Sequence, residues 1–158
     1  MQTFVPYGSD FAATARCLDR QRLGKQRVET YQILRCVANH AKGWSAHPAV
    51  KMWQGYTEAL VAYGLAICDE WISRGYKDTC REKILAFAPH AENGDVVLPW
   101  WIDDDEVVLS HRSNLIRKKP EHYGEMWPAT ESTRPTASVA KKPPPVHFAT
   151  NGASAYAM

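Results

Sequence analysis

Between Pro48 and Gly75 the apolar residues fall on two helical faces rather than one. Met52, Tyr56, Leu60, Tyr63, Ile67 and Trp71 step by three or four along the first face. Val50, Trp53, Val61, Leu65, Cys68 and Ile72 make the second. A surface helix carries a single apolar stripe, so a helix apolar on two sides is stable in water only when neighbours cover both. The stretch therefore predicts a long central helix. Pro48 suits its first position and Gly75 its stop, and the rest of the chain is expected to wrap around it.

The flanking segments supply the wrapping in helical form. Ser9 or Asp10 is placed to cap a helix from Phe11 to Leu18, and Asp19 to cap a second from about Arg20 to Asn39. Gly24 is a weak point early in that second helix, where a break is expected. Asp78 or Thr79 followed by Glu82 starts another helix, which ends before Pro89. The stretch from Asn93 to Trp101 reads as a loop, with Val96–Leu98 as a candidate short strand. The acids Asp103 to Glu106 suit the N-terminus of a last main helix, the cations Arg117 to Lys119 suit its C-terminus, and Pro120 stops it. Beyond Trp127 the residues turn small and polar, with Lys141-Lys142 and Pro143-Pro144-Pro145. Such a segment has little apolar area to bury. The fold expected is all-α: a compact single-domain helical bundle over residues 1–128, with a disordered, flexible tail over 129–158.

At 158 residues the chain is long enough to bury a core, and 45% hydrophobic with 23% charged residues is ordinary globular composition. It holds no apolar run near the ~20 residues of a membrane span and no signal-peptide core, so a soluble protein of the cytoplasm is expected. Cys17, Cys36, Cys68 and Cys80 form no C-x-x-C pair, which argues against a zinc ribbon and against a disulfide scaffold. Buried thiols on helix faces are the expected reading.

The net charge of +2 matters less than its distribution. Arg16, Arg20, Arg22, Lys25 and Arg27 crowd into one stretch whose only acid is Asp19, and Arg112, Arg117, Lys118 and Lys119 gather near the end of the last helix. Guanidinium and ammonium groups on a rigid helix are suited to phosphate oxygens, so one reading is a face that binds DNA. The competing reading is a solvated helix face, with Lys25 and Glu29 as an ordinary i,i+4 pair. His90-Ala91-Glu92 matches half of a zinc deaminase signature without the P-C-x-x-C that would complete it. The imidazole of His47, before Pro48, is placed at a helix start, where a structural cap competes with a ligand or a base. Walker, G-x-G-x-x-G and G-x-S-x-G patterns are absent from the sequence.

Three blocks, taken in order, resemble one family. The first runs from Leu18-Asp19-Arg20-Gln21-Arg22-Leu23-Gly24-Lys25-Gln26-Arg27-Val28-Glu29 into Leu34 to Asn39, ending Val37-Ala38-Asn39. The second runs from His47-Pro48 to Arg74-Gly75-Tyr76 and Asp78-Thr79, and the third from Leu115 to Tyr123. Together they are similar to the pyrimidine-dimer DNA glycosylases, the phage endonuclease V-like proteins, in their bacterial and phage branch. The likeness spans roughly residues 4 to 128.

The resemblance implies a DNA-repair glycosylase on damaged or modified pyrimidines in duplex DNA, with abasic-site lyase activity. In that family an amine attacks C1′ of the sugar, a glutamate helps the base leave, and β-elimination nicks the strand. Two departures stand out. The family's nucleophile is the α-amine of a small residue exposed by methionine removal, whereas here bulky Gln2 follows Met1. The family's catalytic glutamate falls on Gln21, Arg22 or Lys25, and Glu29 is the nearest glutamate on the helix. The expected site is thus Lys25 or the Met1 amine as nucleophile and Glu29 as carboxylate. Arg20, Arg22, Arg27, His111, Arg112, Arg117 and Lys118 are the expected phosphate or base contacts. No metal, cofactor, membrane or obligate protein partner is called for. A non-catalytic DNA-binding protein, and a different DNA-modifying enzyme on the same scaffold, are the alternatives.

Overall fold

The structure, a computed structural model, describes residues 1–39 and 46–137. Among them are seven α-helices and no strand: α1 (Phe11–Cys17), α2 (Arg20–Asn39), α3 (Pro48–Trp53), α4 (Thr57–Ser73), α5 (Arg81–Leu85), α6 (Asp105–Lys118) and α7 (Pro120–Tyr123). A 3-10 turn spans Pro89–Asn93. The all-α expectation holds, and Val96–Leu98 is loop. No helix of the described residues is long and apolar enough to cross a membrane.

The two-faced stretch is not one helix. It breaks between Trp53 and Thr57, where Gln54 leaves the helical range at ψ 124° and Gly55 sits at φ 83°. Only glycine adopts that φ readily, so the chain turns there and α3 and α4 point differently. The doubly apolar character is real nonetheless. Ala59, Leu60, Val61, Tyr63, Leu65, Ile67 and Cys68 of α4 are buried, and α4 packs against α1, α2, α5 and the 3-10 turn. Each large aliphatic side chain so enclosed contributes about 1.5–3 kcal/mol by leaving water.

The break expected at Gly24 does not occur, and α2 runs unbroken through it. A Cβ there would lie 3.1 Å from the Trp71 ring. Glycine serves close packing of α2 on α4, and hydrogen bonding over 20 residues carries its cost. Asp10 caps α1 by accepting from Ala13 N–H, and Asp104 caps α6 by accepting from Glu106 and Val107. All four cysteines are buried and free.

Residues 2–5 run through the core as a non-helical segment, held bond by bond. Gln26 Nε2 donates to Gln2 O at 2.7 Å, and Trp53 Nε1 to Thr3 Oγ1 at 2.8 Å. Phe4 N–H donates to Gln26 Oε1 at 3.0 Å, and Val5 N–H to His111 Nδ1 at 2.9 Å. The Tyr63 hydroxyl donates to Phe4 O at 2.8 Å. Buried backbone groups outside secondary structure need such partners, and here side chains of α2, α4 and α6 provide them. The N-terminus is thereby fixed in place.

Past Pro128 the described residues still bond to α6. Arg134 N–H donates to Ser113 Oγ at 3.0 Å, and the Arg134 guanidinium to Glu106 at 3.0 Å. Arg117 donates to Ser132 O at 2.6 Å and Arg134 O at 2.8 Å. Residues 132–134 therefore lie along α6 because polar bonds, rather than apolar burial, secure them. The remainder of the expected tail, 138–158, lies outside the described residues.

Candidate active site

A cleft of about 600 Å³ opens between the N-terminal segment, α2, α3, α6 and residues 136–137. Met1, Arg22, Lys25, Glu29 and Lys118 all line it. Five of the ten expected site residues thus come together although they lie up to 117 positions apart in sequence. The volume is in the range that encloses a small ligand or one nucleotide.

The carboxylate sits beside the N-terminus. Glu29 Oε2 accepts from Gln2 N–H at 3.3 Å and from Gln26 Nε2 at 3.1 Å. Gln26 is the splint: one amide bonds to Gln2, Phe4 and Glu29, and so holds carboxylate and N-terminal segment in one register. Among the described residues the ammonium groups of Lys25, Lys51 and Lys118 have no ion-pair partner. The i,i+4 pair of Lys25 and Glu29 is therefore not formed, and the cleft keeps its cations available.

His47 is the cleft's imidazole. Its Nδ1 caps α3 by accepting from Ala49 N–H at 3.1 Å, so the neutral ring carries its hydrogen on Nε2. Burial lowers its pKa, the charge of the Met1 amine lowers it further, and Glu29 opposes them. The three groups share one electrostatic environment.

The other expected contacts are spent elsewhere. Arg27 donates to Asp78 Oδ1 at 2.5 Å, and its guanidinium lies 4.3 Å over the Trp71 ring. Burial would raise the Asp78 pKa, yet the hydrogen bonds from Arg27 and the backbone N–H groups of Arg81 and Cys80 hold it below the usual value. His111 is wholly buried and cannot reach DNA. Burial pulls its pKa to about 4, and its Nδ1 serves Val5. Arg112 donates to Pro6 O at 2.8 Å and stacks over Tyr7 and Trp127. Arg117 holds residues 132–134. Arg20 is exposed over the Tyr76 ring at 5.2 Å, on a shallow hollow that shares Lys25 with the cleft. Arg16 and Arg20 are exposed, whereas Arg27 turns inward to a carboxylate 51 residues away. Arg22 pairs with Asp19 at 3.3 Å on the cleft wall.

Gln26 and Lys51 were not legible as site residues. Nothing in their local sequence marks them, and tertiary packing alone brings them to the cleft. No group of three His, Cys, Asp or Glu side chains among the described residues is arranged to hold a metal ion.

One cleft of an all-helical fold is thus lined by the Met1 α-amine, by a carboxylate bonded to the N–H of the next residue, and by lysines that have no ion-pair partner among the described residues. The family model described as pyrimidine dimer DNA glycosylase matches residues 1–83, more than half of the chain, and the protein belongs to that family. The match contains Met1, Arg22, Lys25, Glu29, His47 and Lys51, while Asn114 and Lys118 of α6 lie beyond it. No curated protein and no solved structure matches the chain.

Proposed function

We propose that the protein is a DNA glycosylase with abasic-site lyase activity, acting on damaged or modified pyrimidines in duplex DNA. The Met1 α-amine is the nucleophile and Glu29 its partner. The observation that carries this reading is the Glu29 carboxylate on the N–H of residue 2, one residue from the amine. Lys25 stands in the same cleft, but no ion pair among the described residues ties it to Glu29, whereas the residue next to Met1 is bonded to that carboxylate.

The unprotonated amine nitrogen attacks C1′ while the C1′–N bond to the base breaks, its electron pair leaving with the base, which takes up a proton. Positive charge develops on the sugar, and the Glu29 carboxylate stabilises it in a partly closed cleft. The new ammonium then passes a proton to O4′ as the C1′–O4′ bond opens, which leaves an iminium. Loss of a C2′ proton expels the 3′ phosphate and cuts the strand. Lys25, Lys51 and Lys118 hold the flanking phosphates, and the target nucleotide leaves the stack to enter.

Borohydride reduction tests the reading, because it converts the iminium into a stable protein–DNA adduct. An adduct is expected on duplex containing a pyrimidine dimer and, more readily, on duplex containing an abasic site. Peptide mapping should place it on Met1, and an adduct on Lys25 would move the nucleophile there. Demonstrated binding with no adduct on either duplex would overturn the lyase reading and leave a DNA-binding role.

A further inference from the structure

Lys25 borders a second cavity besides the cleft. With Asp19, Arg20, Gly24, Trp71 and Lys119 it lines a hollow of about 480 Å³ over the first turns of α2. Three of these residues are cations and one is an acid, and the acid is already engaged. Buried Asp19 accepts from the Tyr123 hydroxyl and, at 3.3 Å, from Arg22, while the Lys119 ammonium stands 4.0 Å off, beyond hydrogen-bond reach. The Arg20 guanidinium makes no hydrogen bond and no ion pair among the described residues. It is held by stacking instead. Arg20 lies 5.2 Å over the Tyr76 ring, Tyr76 packs 4.4 Å from Trp71, and Arg27 lies 4.3 Å over Trp71 while paired with Asp78. A stacked guanidinium keeps its in-plane N–H groups for a ligand and loses less freedom when one binds. Gly24 keeps the space open, because a Cβ there would stand 3.1 Å from the Trp71 ring.

We propose that Arg20 and Lys119 converge in this hollow on one backbone phosphodiester of the DNA held by the cleft, an inference that rests on the glycosylase reading above. The donors fit a single anionic group: a planar guanidinium on one wall, an ammonium from the joint between α6 and α7 on another, and Lys25 shared with the cleft. Free phosphate is strongly hydrated and gains little at so open a place. A phosphodiester whose strand is already held next door arrives at high effective concentration, so the seat favours polynucleotide over the free anion. Its work is to fix the register of the duplex at a point away from the sugar.

The test is equilibrium binding to duplex carrying an uncleavable tetrahydrofuran abasic site, which fixes the register without chemistry. Arg20→Gln, Lys119→Gln and the double variant change solvent-facing groups and should fold as the parent does. Because both cations serve one phosphate, the double variant should lower the log–log salt slope by about 0.9, one phosphate's worth. A loss of about 1.8 would mean two separate contacts, and no loss would mean a solvated face; either overturns the proposal. Methylphosphonates placed one at a time then locate the seat. In the parent, one position outside the lesion should cost about tenfold in affinity, and in the double variant that position should cost nothing more. Losses that the double variant retains at every position would overturn the seat. So would displacement of the duplex by inorganic phosphate beyond that by chloride of equal ionic strength, which would make the hollow a site for the free anion. A parent that binds the abasic duplex no tighter than undamaged duplex contradicts the glycosylase reading instead. The slope loss on undamaged duplex then decides the hollow alone, about 0.9 supporting it and none overturning it.

Discussion

The Glu29 carboxylate accepts the backbone N–H of Gln2 at 3.3 Å, across 27 residues of sequence. This bond sets a carboxylate one residue from the Met1 amine. Glu29→Gln keeps the shape but removes the negative charge that would stabilise the cationic sugar. Cleavage of the C1′–N bond at the dimer is expected to slow by about 100-fold or more, and borohydride trapping on an abasic site by much less. Single-turnover kinetics on the two duplexes measure the difference, and equal losses would assign Glu29 to holding the N-terminus.

The same bond makes a prediction about Gln2. Its bulk should keep Met1 on the chain, which intact mass reads directly. Gln2→Ser should permit removal of Met1 and bring the amine to the second position, where the N–H now faces Glu29. Trapping should persist, with the adduct mapped to the serine that has become the first residue. Loss of trapping in a folded Gln2→Ser protein would show that the amine must stand one residue farther from the carboxylate.

His111 makes stability depend on pH. Burial keeps it neutral down to about pH 4, against 6.5 for an ordinary histidine. A depressed histidine pKa means that the unfolded chain takes up the proton first. Its stabilisation is therefore complete above about pH 6.5 and declines as pH falls toward 4, by on the order of 3 kcal/mol. Urea unfolding at about pH 7.5 and about pH 4.5 should show the loss. His111→Asn, whose side-chain oxygen can accept the Val5 N–H, should flatten the dependence. Asp19 and Asp78, whose pKa values are held below 3.8, act in a lower window, as pH falls through the carboxylate range. An Asn variant as pH-sensitive as the parent over the same interval would place the loss on another group.

Salt dependence should separate the structural cations from the available ones. Lys25→Ala with Lys118→Ala should reduce the log–log slope of DNA affinity against salt by about two units of 0.9. Arg27→Ala should leave that slope nearly unchanged and instead destabilise the fold by about 3 kcal/mol, because it leaves Asp78 buried without its partner. A flattened slope in the Arg27 variant would return it to the DNA-binding face.

Truncation tests the segment along α6. Ending the chain at Pro128 removes the bonds to Ser113, Arg117 and Glu106, and also Thr136 and Ala137 from the cleft wall. The thermal midpoint should fall by about 5 °C, and DNA processing should weaken. Ending it at Ala137 retains all of these contacts and should preserve the midpoint. Equal midpoints for the two truncations would mean that the segment adds nothing to stability.

What the sequence determined by itself were the features that act over one or two helical turns. Asp10 caps α1 where its position foretold, the acidic run Asp103 to Glu106 opens α6, the apolar face of Leu60, Tyr63 and Ile67 with the second face of Val61, Leu65 and Cys68 made α4 central, and Lys25 and Glu29 marked a helix that borders the cleft. Features that depend on a distant neighbour were decided by the tertiary structure. Gly24 reads as a helix breaker until Trp71 packs on it, and Arg27 reads as a phosphate contact until Asp78 claims it. His111 lies in a basic run yet turns inward to satisfy Val5, while Asn114, three residues later on α6, turns to the cleft. A turn of about 100° per residue decides which side of a helix a side chain occupies. Only the packing of that helix decides which side is core and which is cleft.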